Sequence, residues 1–333
     1  MKNLITDIPG LLVGNVHDAK LASGVTALIF ERPAVASIAV HGGAPGLRDT
    51  ALLEPEMHVG EIDALVLSGG SAFGLDSTGG VQALLREQGR GFFVGGINVP
   101  IVPGAILFDL LNGGDKAWGR EPIYWHLGYQ AAAAAKSDFL LGSIGAGYGA
   151  TTVNLKGGLG SASCETSSGF RVGALVAVNA VGRATIGDGP HFWAAPYEQN
   201  GEFGGLGLPV SLPVDTLAFK IKGDGPQNTT IAIVATDATL TKAEAKRLAI
   251  MAHDGMGRAL RPSHAAMDGD TIFAASTCAA PNLPSLRDQT EIGTQAADCL
   301  ARAIARAVFE AEALPFPGAL PSWRAKFGAK SRS

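Results

Sequence analysis

A threonine hydroxyl attacks an amide only when something takes its proton, and this chain offers one position where the proton acceptor would come free. Gly223-Asp224-Gly225-Pro226-Gln227-Asn228 is a run of turn residues. It gives way at once to the apolar, β-branched run Thr229-Thr230-Ile231-Ala232-Ile233-Val234-Ala235. Gly and Pro punctuate a loop, and the run after them reads as a buried strand. A cut between Asn228 and Thr229 would leave Thr229 with both its hydroxyl and a free α-amino group. That pair is a nucleophile carrying its own base, and an α-amino group titrates near ~8. The Thr229 hydroxyl is also placed to make the cut, by attacking the Asn228 carbonyl in an N→O acyl shift that water completes. The same dipeptide also fits a plain turn entering a strand. Thr230 would face the other side of the strand.

Asp268-Gly269-Asp270 precedes the apolar run Thr271-Ile272-Phe273-Ala274. In an extended backbone the two carboxylates leave the same face. Two close carboxylates push one pKa up, so that one keeps a proton while the other is ionised. Such a pair could orient the Thr229 hydroxyl and amine and relay a proton; alone, it is also an ordinary surface turn. Lys156, in a Gly-rich stretch, and Asn179, at the end of the apolar run Val172–Val178, are candidate donors to an oxyanion. Against those roles stand a solvated loop lysine and an asparagine ending a strand. Ser68-Gly69-Gly70-Ser71-Ala72-Phe73-Gly74 lies between a strand and a helix, where amides can cradle phosphate. It lacks the Lys-Ser/Thr of a P-loop and the dinucleotide spacing of glycines, so it reads as a tight strand–helix turn. The seven His show no metal spacing, and His264, near the Asp pair, reads as structural. No metal and no organic cofactor is implied.

The elements that must position these residues follow from periodicity and breakers. Strands are expected at 25–30, 36–41, 64–67, 91–94, 139–144, 171–179, 216–221, 229–236 and 271–276. Several are apolar throughout, as strands buried on both faces are. Helices are expected at 71–87, 125–136, 242–260 and 291–313, the third opening on a capping box, Thr241-Lys242-Ala243-Glu244. Pattern alone leaves α/β and α+β both open.

Composition bounds the rest. The 333 residues suffice for one large or two ordinary domains, and 47% hydrophobic residues supply a sizeable core. Only 17% are charged and the net charge is −4, so no basic footprint for nucleic acid exists. The 45 Gly and 18 Pro are spread along the chain, as in many tight turns between short elements. Three Cys argue against a disulfide framework and suit a reducing compartment. Met1–Asp7 has no signal-peptide apolar region, and no run is long enough to span a membrane. A cytoplasmic location is expected. The basic end, 324–332, reads as a solvated tail.

The Asn228-Thr229 junction keeps company with four further segments: Leu65–Leu75, Gly145–Ala150, Lys156–Ser163 and Met267–Asp270. In order and approximate spacing they resemble the self-processing P1 peptidases. These comprise L-aminopeptidase/D-esterases, β-peptidyl aminopeptidases and the nylon-oligomer (6-aminohexanoate) endohydrolase. The resemblance runs from about residue 8 to about residue 312. The Asn-Thr junction and the Asp-x-Asp pair point to the nylon-oligomer branch, whose Asp pair stands at the same offset, 39 and 41 residues after the Thr. The resemblance implies an α+β fold, a four-layer α-β-β-α sandwich of the N-terminal-nucleophile type, also seen in ornithine acetyltransferase. It implies a single catalytic domain over 1–333 that cuts itself into 1–228 and 229–333. Thr229 is then the nucleophile, Asn179 and Lys156 stabilise the oxyanion, and Asp268 and Asp270 hold the nucleophile in place. Ile101–Asp109 resembles a substrate-pocket strand in which Phe108 stands near the family's usual Tyr. The expected substrate is a small aminoacyl or ω-amino-acid amide or peptide. The expected assembly is a homo-oligomer, a tetramer of processed pairs, with no nucleic-acid or membrane partner. Two other readings stay open: an acyltransferase of the ornithine-acetyltransferase type, and an unprocessed relative that only binds small molecules.

Overall fold

The structure is a computed structural model and describes residues 1–214, 216–223 and 228–328. Residues 224–227 of the turn expected at 223–228, and the end of the basic tail at 329–333, lie outside the described residues. The strands are β1 (Leu11–Asp18), β2 (Ser23–Val40), β3 (Leu47–Arg48), β4 (Ile62–Ser68), β5 (Phe92–Val94), β6 (Ile97–Val99), β7 (Gly104–Ile106), β8 (Gly158–Glu165), β9 (Arg171–Asn179), β10 (Thr229–Thr236) and β11 (Thr271–Ser276). The helices are α1 (Ser77–Glu87), α2 (Tyr124–Ala133), α3 (Lys242–Ala259), α4 (Leu286–Phe309) and α5 (Trp323–Phe327).

Among the described residues nine strands form one sheet: eight follow the order β3-β7-β4-β2-β11-β10-β9-β8, and β1 pairs with β2 off that path. The long strand β2 is the hinge of this path. Its first part pairs with β1 and β4; the register breaks between Ile29 and Ala34, and residues 35–40 then pair with β11. One half of the sheet therefore folds over the other. Leu28, Leu65 and Leu67 from the first half meet Ile231, Ile233 and Phe273 from the second in one buried cluster. The alternate residues point outward. Ala27 and Val66 pack under Val81 and Leu127 of α1 and α2. Val176, Val234 and Ile272 pack under Leu248 of α3 and Leu300 and Ile304 of α4. This is the α-β-β-α sandwich expected above, and it explains strands apolar at every position, since both faces are covered.

Local chemistry sets the boundaries. Thr241 caps α3 as expected: its Oγ1 accepts from Glu244 N at 3.3 Å, and Glu244 Oε2 accepts from Thr241 N at 2.7 Å. Ser285 and Asp288 make the same box and start α4 at Leu286, earlier than the expected 291. Expected strands 25–30 and 36–41 are parts of one strand, and 91–94 shortens to an exposed hairpin strand. Segments 139–144 and 216–221 form no strand. Apolar content alone makes no ladder there: the first segment makes the single bridge Gly142–Leu159 and the second pairs with no strand. Residues 71–76 are a 3₁₀ turn leading into α1. The Gly-rich stretch after Lys156 is β8 rather than a loop. A Cβ at Gly160 would meet the Ala303 carbonyl oxygen at 1.9 Å, so glycine there lets α4 lie directly on the strand. The start of the basic end is also ordered: α5 packs Trp323 against Phe192 and Phe309.

Candidate active site

Three neighbouring strands bring the chemistry together. Thr229 opens β10. Its partner across the antiparallel ladder is Asn179, the last residue of β9. On the other side, Asn228 bridges in parallel to Asp268, just before β11. Asn228, Thr229, Asn179, Asp268 and Asp270 are all buried. Residues separated by up to 91 positions in the chain thus meet at one end of the second half-sheet.

The Asn228–Thr229 peptide is held by contacts on both sides. Thr229 Oγ1 donates to the Asn228 carbonyl oxygen. The Gly269 N–H donates to that same oxygen at 3.2 Å. The Asn228 side chain is fixed by its Nδ2 donating to the Lys222 carbonyl at 3.2 Å. A Cβ at Gly269 would lie 2.7 Å from Thr229 Oγ1 and 2.9 Å from the Ala44 oxygen, so only glycine lets the Asp-x-Asp backbone pass this close to the hydroxyl.

The Asp pair is buried, not the exposed turn that its sequence also allowed. Residues 41–44 hold its backbone: His41 and Gly42 N–H both donate to the Asp270 carbonyl at 3.1 Å, and Ala44 N–H to that of Asp268 at 2.8 Å. Asp270 Oδ1 accepts from Thr230 N–H at 3.1 Å, and Oδ2 accepts from His264 N–H at 2.8 Å and lies 2.9 Å from His264 Nδ1. Burial, and then the adjacent Asp270 carboxylate, push the Asp268 carboxyl up to about 8, against a partial pull-down by the Gly269 and Val181 amides. The two carboxylates differ in their partners: Asp270 accepts from the Thr230 and His264 amides, Asp268 from the Gly269 amide.

Asn179 is fixed from both ends. Its Oδ1 accepts from Thr151 N–H at 3.0 Å and from Lys222 Nζ at 2.8 Å, and its Nδ2 donates to the Phe108 carbonyl at 2.9 Å. Lys156 is buried, with Nζ donating to the carbonyls of Gly147, Ala150 and Gly157 at 3.0, 2.8 and 2.9 Å. Burial pulls both Lys156 and Lys222 down to about 7. Lys222 is the residue that sequence reasoning missed. It stands just before the turn run, seven positions before Thr229, and a cation so near a candidate nucleophile was the available signal.

Asn179, Lys222 and Lys156 line a cleft of about 340 Å³, together with Phe108, Asp109, Leu314 and residues 317–320. Phe108 is half-buried on its wall. Asp109 is buried, accepting from Ser23 Oγ at 2.7 Å and Gly70 N–H at 2.8 Å, and burial raises its pKa. The Ser68–Gly74 turn thus serves the cleft by placing a backbone amide on Asp109. Among the described residues no helix is long and apolar enough to cross a membrane.

A buried hydroxyl on a peptide carbonyl, an asparagine held at both ends and a buried pair of carboxylates meet at one end of an α-β-β-α sandwich. A sequence profile of Peptidase family S58 matches residues 3–319, and the chain belongs to that family. It is a hydrolase acting on amide bonds. An uncharacterized aminopeptidase of Mycobacterium tuberculosis is 41% identical, the match covering 98% of each chain. A 6-aminohexanoate-oligomer endohydrolase of Kocuria sp. is 26% identical over 81% of this chain and 74% of its own. The fold matches that of an L-aminopeptidase D-Ala-esterase/amidase from Ochrobactrum anthropi, described as a variant of the Ntn hydrolase fold, with TM-score 0.68 and 22% identity over 96% of this chain and 90% of that one. A Burkholderia sp. β-aminopeptidase matches with TM-score 0.68 and 21% identity over 97% of this chain and 91% of that one. Of the readings drawn from the sequence, the aminopeptidase/amidase therefore stands.

Proposed function

We propose that this protein is a single-domain amide hydrolase that matures by cutting itself between Asn228 and Thr229 and then uses Thr229 as its nucleophile. The observation that carries the reading is the contact of Thr229 Oγ1 with the carbonyl oxygen of the residue before it, with the Gly269 N–H on the same oxygen. In maturation Oγ1 attacks the Asn228 carbonyl carbon. The oxyanion forms on an oxygen that already has a donor. The C–N bond breaks, and the Thr229 nitrogen takes the proton and becomes a free amine. Water then hydrolyses the ester, leaving Asn228 with a carboxylate and Thr229 with its hydroxyl.

In turnover the Thr229 amine takes the hydroxyl proton as Oγ1 attacks the substrate carbonyl. Asn179, held by Lys222 and Thr151, stabilises the oxyanion, and the Lys156 charge supports it from the cleft wall. The leaving amine takes the proton, and water releases the acyl group. Asp268 and Asp270 keep the Thr229 segment in register with β11. The cleft, with Phe108 on its wall, suits a small amide, an N-terminal aminoacyl or ω-amino-acid amide. We place the enzyme in the cytoplasm and as a tetramer of processed pairs. The exposed apolar side chains of Phe92, Phe93 and Ile97 on the β5–β6 hairpin support an assembly that covers them.

A denaturing gel of purified protein should show two bands, the smaller beginning at Thr229, and Thr229→Ala should give one intact band. A fragment that begins elsewhere, or cutting that persists in the alanine variant, would overturn the assignment.

A further inference from the structure

Behind the Asp pair lies a cluster that the reaction above does not use. His41 follows the end of β2, His253 is in α3 and His264 is in the loop before Asp268. A nitrogen of each ring lies within 4.8 Å of a nitrogen of the other two. The surroundings determine which nitrogen each ring can offer. His253 is buried, and its Nε2 lies 3.0 Å from the Ala39 carbonyl, to which it must donate. Its Nδ1 is then a lone pair, buried and without a partner. His264 Nδ1 faces Asp270 Oδ2 at 2.9 Å, which leaves its Nε2 for a ligand. His41 is exposed, so solvent can reach the site.

We propose that His41, His253 and His264 form a site for a divalent transition metal of the zinc type, with Asp270 and the Ala39 carbonyl as the outer partners that orient two of the rings. The arrangement is that of a metal-binding histidine, one nitrogen on the ion and the other on a carboxylate or backbone carbonyl. Three imidazoles suit zinc, cobalt, nickel or copper rather than magnesium or calcium. Zinc–nitrogen bonds of about 2.0–2.1 Å need a tighter set than the present one. His41 supplies the movement by leaving its stack on His253, where the ring centroids are 3.7 Å apart. The bound ion would pin the end of β2, helix α3 and the loop of the Asp pair to one another. It is a clamp behind the Asp pair, and it stands whether or not Thr229 is the nucleophile.

The test uses untagged, chelator-treated, dialysed protein titrated with zinc in a calorimeter and with cobalt in a spectrophotometer. One zinc per chain is expected, with the strong visible absorption of four-coordinate cobalt. His41→Ala removes an exposed side chain and should fold normally; it should weaken zinc by at least about tenfold, the scale on which losing even an outer partner is felt. His264→Gln should do the same, and zinc should raise the unfolding temperature of the parent but not of either variant. Less than one bound zinc per chain, or undiminished affinity in His41→Ala and His264→Gln, would sink the proposal.

Discussion

Asp268 is a carboxyl whose pKa is raised by burial and by the Asp270 carboxylate to about 8. An acid with a raised folded pKa binds its proton more tightly when folded than unfolded. Stability is then lost as pH climbs from the unfolded value near ~4 to the folded value. Asp268→Asn keeps the shape and removes the titration. In a Thr229→Ala background, where both chains stay intact, the asparagine variant should gain on its parent between about pH 5 and about pH 8.5 in thermal unfolding. With Thr229 present, the same substitution should slow cutting by at least about tenfold, roughly 1.4 kcal/mol of barrier. An equal rate, followed on a gel, would make Asp268 a structural residue only. Lys222 makes a second prediction at this scale. A neighbouring cation disfavours protonation of the Thr229 amine, and general-base catalysis needs the neutral amine. Activity on a small amino-terminal amide should rise with pH as the amine loses its proton, between roughly 6 and 8, the range in which Lys156 and Lys222 also titrate. Lys222→Met should move that ionisation upward and lower kcat, because Asn179 Oδ1 also loses its partner at 2.8 Å. A downward shift would mean that Lys222 does not face the amine.

At the scale of elements, the site is a junction of strand ends rather than a surface decoration. β10 carries the hydroxyl, β9 the opposing asparagine and the approach to β11 the carboxylates, and one backbone donor, Gly269 N–H, joins them. Backbone donors cannot be removed by substitution, but the space they need can. Gly269→Ala puts a methyl 2.7 Å from Thr229 Oγ1 and 2.9 Å from the Ala44 oxygen. Neither the strand nor the 41–44 loop can give way without breaking its hydrogen bonds. Cutting should therefore stop in a chain that still folds, as circular dichroism and a gel would show together. A variant that is cut at the parent's rate would mean that the Asp-x-Asp backbone is not the maturation donor.

For the whole molecule, folding one half-sheet over the other leaves helices on both outer faces and brings Asn179, at the end of β9, to the cleft. The β5–β6 hairpin lies outside those layers, with Phe92 and Phe93 exposed. A sedimentation or light-scattering measurement on processed protein should find the mass of four chains of 34.0 kDa each. A particle of one chain's mass would remove the assembly from the proposal and leave the catalytic reading intact.

The sequence by itself determined what depends on neighbours along the chain. β9, β10 and β11 are where the apolar β-branched runs put them, and the Thr241 capping box starts α3. Thr229 stands at the mouth of its strand because the turn residues stop there. The Asn-Thr junction and the Asp-x-Asp pair also carried the resemblance to the family that the comparisons then bore out. Only the tertiary structure decided what depends on approach across the chain. It showed β8 as a strand, because the glycines that look like a loop are there for α4 to pack against. It made one strand of 25–30 and 36–41, because a long strand can serve both half-sheets. It brought Lys222 to Asn179 and gathered His41, His253 and His264 from three separate elements. Such contacts have no signature in spacing: hydrogen bonds and ring contacts form between whichever groups the packed layers bring within about 3–4 Å, and sequence distance does not enter.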